Sequence, residues 1–189
     1  MLTQREIETH ALSILQRANA LSPPINLEKI AIYLDANIHE QIFEDQVSGA
    51  LVIKDGGKHI LVNSSHHRNR QRFTIAHEIG HLSLHTSDVD LLVDQLFVDT
   101  QMRVYQRVGG SDSAAYQGES STTTPEQERE ANQFAAALLM PEQLLRERVD
   151  QNMLADEHDV SILAKEFGVS EQAMYIRLQK LELVEGYYL

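Results

Sequence analysis

The sequence predicts an α+β fold in which a small sheet packs beside a helix carrying paired histidines. Three observations predict it. Strand-like runs cluster in one stretch, at 37–43, 49–54 and 59–63, and Asp55-Gly56-Gly57 between the last two is good chemistry for a hairpin turn. Segments of helical period lie on both sides of that stretch. Directly after it, residues 70–85 run without proline through His77-Glu78-Ile79-Gly80-His81.

The elements follow in order. Residues 3–20 read as an amphipathic helix with Ile7, Leu12, Ile14, Leu15 and Ala18 on its buried side, ended by Pro23-Pro24. Asn26 caps a short helix over 27–34. The three strands come next, giving a small antiparallel or mixed sheet, and then the histidine helix. Residues 88–96 read as a further short helix and 97–107 as a strand, one that could pair at a sheet edge with an extended substrate. From 109 to 124 the chain is rich in glycine, serine and threonine with almost nothing to bury, which predicts a surface loop. Thr124-Pro125-Glu126-Gln127 is a helix start: threonine caps, proline takes the first turn and glutamine completes a capping box. That helix runs to Leu139, and Pro141 opens another over 142–149. Residues 159–182 form two short helices broken at Phe167-Gly168-Val169-Ser170. The expected division is a main domain over 1–150 and a small helical extension over 151–189.

Bulk properties narrow the function. A chain of 189 residues with 42% hydrophobic content can bury a real core. It has no cysteine, so disulfides and thiolate ligands are excluded and any metal must be held by nitrogen and oxygen. That fits a reducing cytoplasm. The first residues, Leu2-Thr-Gln-Arg-Glu-Ile-Glu, contain no apolar signal region, and no apolar run approaches a bilayer span. With 16 basic against 28 acidic residues, the net charge of −12 argues against direct nucleic-acid binding.

His77 and His81 are four apart, so on a helix they sit one above the other. On a 100° wheel Phe73, Gly80, His81 and Leu84 fall within about 40–60° of His77, a mostly apolar stripe facing the interior. Exposed histidines would lie in a polar stripe, and core histidines would need other hydrogen-bond partners. The spacing instead suits two imidazoles on one Zn²⁺, with Glu78 beside them as general base. Gly80 in mid-helix costs about 1 kcal/mol relative to alanine, which predicts a close neighbour there.

A catalytic zinc site usually takes a third protein ligand. His85 is excluded on geometry: it lies about 12 Å along the axis from His77, whereas two ligands of one zinc lie within about 4 Å of each other. His85 suits packing or a supporting role behind a ligand. The helix over 125–139 offers Glu126, Glu128 and Glu130. Glu128 projects from the apolar stripe with Ala131, Ala135, Leu138 and Leu139, Glu126 lies opposite, and Glu130 sits at the edge beside Phe134. All three also suit the positive end of the helix dipole. For Glu126 that suffices. Glu128, on the buried face, needs a partner or a metal, and Asn132, one turn on, could orient a ligand from behind. Two histidines and Glu128, with Glu78 nearby, imply metal-assisted hydrolysis, in which Glu78 takes a proton from the attacking water and passes it to the departing amine. Mn²⁺ could occupy the same ligands.

Ser48-Gly-Ala-Leu, Ile60-Leu-Val-Asn63, Arg72-Phe-Thr-Ile-Ala-His-Glu-Ile-Gly-His81 and Glu128-Arg-Glu-Ala-Asn-Gln-Phe-Ala-Ala-Ala-Leu-Leu-Met-Pro141 together resemble the ImmA/IrrE family of metallo-endopeptidases, over roughly 25–145. The resemblance implies a zincin-like metallopeptidase core, with His77, His81 and Glu128 as ligands and Glu78 as base. It also implies a substrate class: a cytoplasmic helix-turn-helix transcriptional repressor, whose cleavage releases stress-response or mobile-element genes. The stretch before Glu128 is long for the family, so loop-dependent specificity can differ. Residues 163–178 resemble the helix-turn-helix-like segment that follows the core in relatives. Residues 159–189, however, carry Lys165, Arg177 and Lys180 against five acids, which argues for a structural or protein-binding tail over DNA readout. The rival readings are a non-catalytic metal-binding regulatory module, engaging a repressor or DNA, and the peptidase of a toxin–antitoxin pair. Retention of Glu78 favours the enzyme, because a structural site needs no base.

Overall fold

Helix α1 (Gln4–Arg17) starts where Thr3 accepts the Glu6 N–H and the Glu6 carboxylate accepts the Thr3 N–H, a full capping box. This is a computed structural model, and it describes residues 1–86, 95–100, 123–152 and 157–184. The buried face of α1 is Ile7, Ala11, Ile14 and Leu15. Ala11 takes the place suggested for Leu12, which lies off the stripe of positions 7, 11, 14 and 15, and Ala18 is partly buried against the same core. Helix α2 (Leu27–Tyr33) is capped by the Asn26 side chain, which accepts the Lys29 N–H at 2.9 Å.

Strands β1 (Ala36–Gln41), β2 (Val47–Lys54), β3 (Gly57–Asn63) and β4 (Gln95–Thr100) form one mixed sheet in the order β1-β3-β2-β4. The hairpin between β2 and β3 turns on Asp55 (φ 50°) and Gly56 (φ 76°), with Lys54 opposite Gly57. Two successive left-handed residues suit the right-handed twist of paired strands, so Gly57 belongs to the strand and not to the turn. β1 runs parallel to β3 and β4 antiparallel to β2. The strand suggested over 97–107 therefore starts earlier. Gln95 and Leu96, read from sequence as a helix end, pair with Ile53 and Val52. Only the distant partner strand decides that. The rest of the suggested helix over 88–96, residues 101–107 and the suggested loop up to 122 lie outside the described residues.

Helix α3 (Arg68–Leu84) begins two residues before the stretch read from sequence, capped by His67, whose ring accepts the Asn69 N–H. Thr74, Ala76 and the six residues from His77 to Leu82 are all buried, so the helix is enclosed on nearly every side, between β2 and β3 and helix α4 (Pro125–Leu139). α4 starts with the capping box expected of Thr124 and Gln127. Gly80 explains how closely α3 and α4 approach. A methyl group there would lie 3.1 Å from the Ala131 Cα and 3.2 Å from the Phe134 ring. We expect Gly80→Leu to lose about 1–3 kcal/mol in a urea melt despite its better helix propensity, because the added bulk has to push α4 away.

Helices α5 (Glu142–Asn152), α6 (Glu157–Phe167) and α7 (Glu171–Lys180) complete the described chain. The break between α6 and α7 falls where glycine and serine suggest: Gly168 takes φ 66° and the Ser170 hydroxyl accepts the Ala173 N–H. Leu163, Phe167, Met174 and Leu178 join the same buried cluster as Ile7, Leu15 and Phe134. Arg177 is 3% exposed. Its guanidinium binds both oxygens of Glu8 on α1 and donates to the Met140 carbonyl at 3.0 Å, so this basic group adds nothing to the outer surface of the tail. No described helix is long and apolar enough to cross a membrane.

Candidate metal centre

His77 and His81 occupy successive turns of α3 and are 1% and 2% exposed. Their Nε2 atoms are 3.0 Å apart, and their ring planes are inclined at 73°. Glu128, in the first turn of α4, meets both: one carboxylate oxygen is 3.3 Å from the His77 Nε2 and the other is 3.3 Å from the His81 Nε2. The close packing at Gly80 brings the two helices together here. Among the described residues this is the one group of three potential ligands, with all donor atoms within 4.8 Å of one another.

The donor set fits a divalent cation. Asn132 lies behind His77, with its Oδ1 3.2 Å from the His77 Nδ1. An amide oxygen only accepts, so Nδ1 carries the ring proton and Nε2 presents its lone pair to the cluster. Burial pushes the Glu128 carboxyl up, but contacts with His77, His81 and the Thr123 hydroxyl outweigh it and hold the group far below the usual carboxylate range. Burial also lowers the His81 imidazole, more than the neighbouring Glu128 raises it. Near neutral pH Glu128 is therefore an anionic carboxylate and His81 a neutral imidazole, the protonation states in which these residue types ligate metal. Two Nε2 atoms and a carboxylate converging on one point need positive charge between them, either a shared proton or a cation. Such a donor set suits Zn²⁺.

The three glutamates of α4 meet different fates. Glu126 is exposed and pairs with Arg129 at 3.2 Å. Glu128 reaches the histidines with its side chain 38% exposed. Glu130, suggested by its wheel position to sit at the stripe's edge, is the most buried, at 8%. Burial raises its carboxyl, but the Leu2 N–H and His85 hold it below its ordinary value. His85 does not enter the cluster. Its ring stands behind His81, Nδ1 to Nδ1 at 3.1 Å, and its Nε2 is 3.0 Å from the Glu130 carboxylate. That contact is not legible in sequence, although the spacing of four from His81 already places His85 on the same face. Glu78 is 1% exposed, within the same buried turn of α3.

A helix with paired histidines packed on a small mixed sheet, with a carboxylate from a second helix closing on them, defines a zincin-like α+β metallopeptidase architecture. The family described as IrrE N-terminal-like domain matches residues 32–108 and 111–179. The chain belongs to this ImmA/IrrE family of metallopeptidases, and membership suggests metallopeptidase activity. It matches none of the curated proteins with which it was compared.

Proposed function

We propose that the protein is a zinc-dependent endopeptidase that cleaves a helix-turn-helix transcriptional repressor and so derepresses the genes that repressor controls. One observation carries the catalytic part: the His77 and His81 Nε2 atoms and the Glu128 carboxylate converge on one point, with Glu78 buried in the same turn of α3. The repressor as substrate rests on family resemblance.

In this reading His77, His81 and Glu128 hold the metal, and Mn²⁺ fits the same donors. When bound, the metal polarises the scissile carbonyl and makes water a better nucleophile at neutral pH. Glu78 takes a proton from the attacking water on its carboxylate and delivers it to the leaving nitrogen. Asn132 keeps the His77 ring oriented through Nδ1, so that Nε2 points at the metal. Asn132→Ala is expected to weaken zinc binding about 10-fold, measured by competition with a chromogenic chelator. Among the described residues β4 is a sheet edge, pairing only with β2, and it offers backbone groups to an extended peptide.

The test is to incubate the protein with Zn²⁺ and the helix-turn-helix repressor encoded nearest its gene, and to follow the repressor by mass spectrometry. One discrete cut made by the wild type and not by Glu78→Gln supports the proposal. Equal derepression by both forms without a cut would make the protein a binding module instead.

A further inference from the structure

We infer that His85 and Glu130 act as positioning residues, a relay that holds His81 in the tautomer and ring orientation needed for metal binding. The inference rests on the metal-site reading above and extends it to side chains outside the ligand set.

The chain of contacts is continuous. The Leu2 N–H donates to one oxygen of Glu130 at 2.6 Å, and the other oxygen lies 3.0 Å from the His85 Nε2. The His85 Nδ1 lies 3.1 Å from the His81 Nδ1, and the His81 Nε2 faces the His77 Nε2 and Glu128. The side chains of His85 and Glu130 are 5% and 11% exposed, so water does not substitute readily for either partner.

Each contact dictates the next. A carboxylate only accepts, so the His85 Nε2 carries the ring proton. With the His85 Nδ1 left as the acceptor, the His81 Nδ1 that faces it at 3.1 Å carries the proton between the two rings. With its proton there, His81 offers its lone pair at Nε2, toward the cluster. His77 is held in the same tautomer by a neutral amide, Asn132. The two ligands of α3 thus receive different support, an amide on one side and a carboxylate acting through an imidazole on the other. The carboxylate arm also makes His81 the more basic donor. Through the Leu2 amide, the residue just before the capped start of α1 is tied into the same arrangement.

Two experiments test the relay, the first on the unmutated protein. Long-range ¹H–¹⁵N spectra of the zinc-loaded protein are expected to show His81 protonated at Nδ1 and His85 at Nε2; His85 protonated at Nδ1 overturns the inference. The second is zinc affinity by chelator competition. His85→Phe keeps the bulk but removes the acceptor, and is expected to bind about 10–100-fold more weakly. His85→Gln, which keeps one acceptor and one donor, should stay within several-fold of wild type. Because the contacts act in series, His85→Phe combined with Glu130→Gln should bind no more weakly than His85→Phe alone. A folded His85→Phe with wild-type affinity, or His85→Gln as weak as His85→Phe, overturns the relay. Failure of the wild type to bind zinc at all removes the metal reading, and the relay falls with it.

Discussion

Glu78→Gln is expected to lower repressor cleavage by about 10²–10⁴-fold, the range attributed to a positioned general acid–base group. The substitution keeps the shape of a side chain that is 1% exposed and removes its ability to take a proton. It leaves His77, His81 and Glu128 in place, so zinc affinity should hold within a few-fold. The expected signature is a fall in kcat with little change in zinc stoichiometry. Single-turnover cleavage and a zinc titration on the same preparation read both quantities. A variant that loses zinc and activity together would mean that Glu78 supports the site and is not its base.

Glu128→Ala gives the second large effect, in a different place. It removes the one carboxylate that, among the described residues, reaches both imidazoles. Zinc affinity should fall by more than the roughly 100-fold upper range for residues that only orient ligands, and activity should vanish at stoichiometric metal. The same substitution at Glu126, which is exposed and paired with Arg129, should leave zinc binding unchanged. The pair of variants separates ligation from a general effect of negative charge at the start of α4. Equal zinc affinities in the two would return Glu128 to the helix-dipole role that the sequence also allows.

Much of this was visible in one dimension because it is local. Four-residue spacing places His77 over His81 in any α-helix. Thr3, Asn26, Thr124 and Ser170 cap the helices that follow them by contacts within three residues. Asp55-Gly56 closes the hairpin through its own backbone angles. Gly80, a local weakness in a helix, pointed to a close neighbour without naming it, and Ala131 and Phe134 are that neighbour.

Other features depend on partners far along the chain. Gln95 and Leu96 carry no local signal strong enough to oppose helix, and β2 recruits them into the sheet. The wheel separated Glu126 from Glu128, but it left Glu130 at an edge that in the fold is deeply buried. The α-helical period describes one face of one helix, and it carries no information about which side chain of another helix stands opposite.

The amino-acid order by itself therefore determined the metal-binding chemistry available: paired imidazoles on one helical face, a glutamate between them, and nitrogen and oxygen donors only. Tertiary structure decided that Glu128, the carboxylate the wheel favours, meets those imidazoles, and which ring Asn132 and His85 each stand behind. The reason is range. Backbone spacing and capping act within one turn, whereas the approach of α4 to α3 is set by packing between residues some fifty positions apart, such as Gly80 and Ala131.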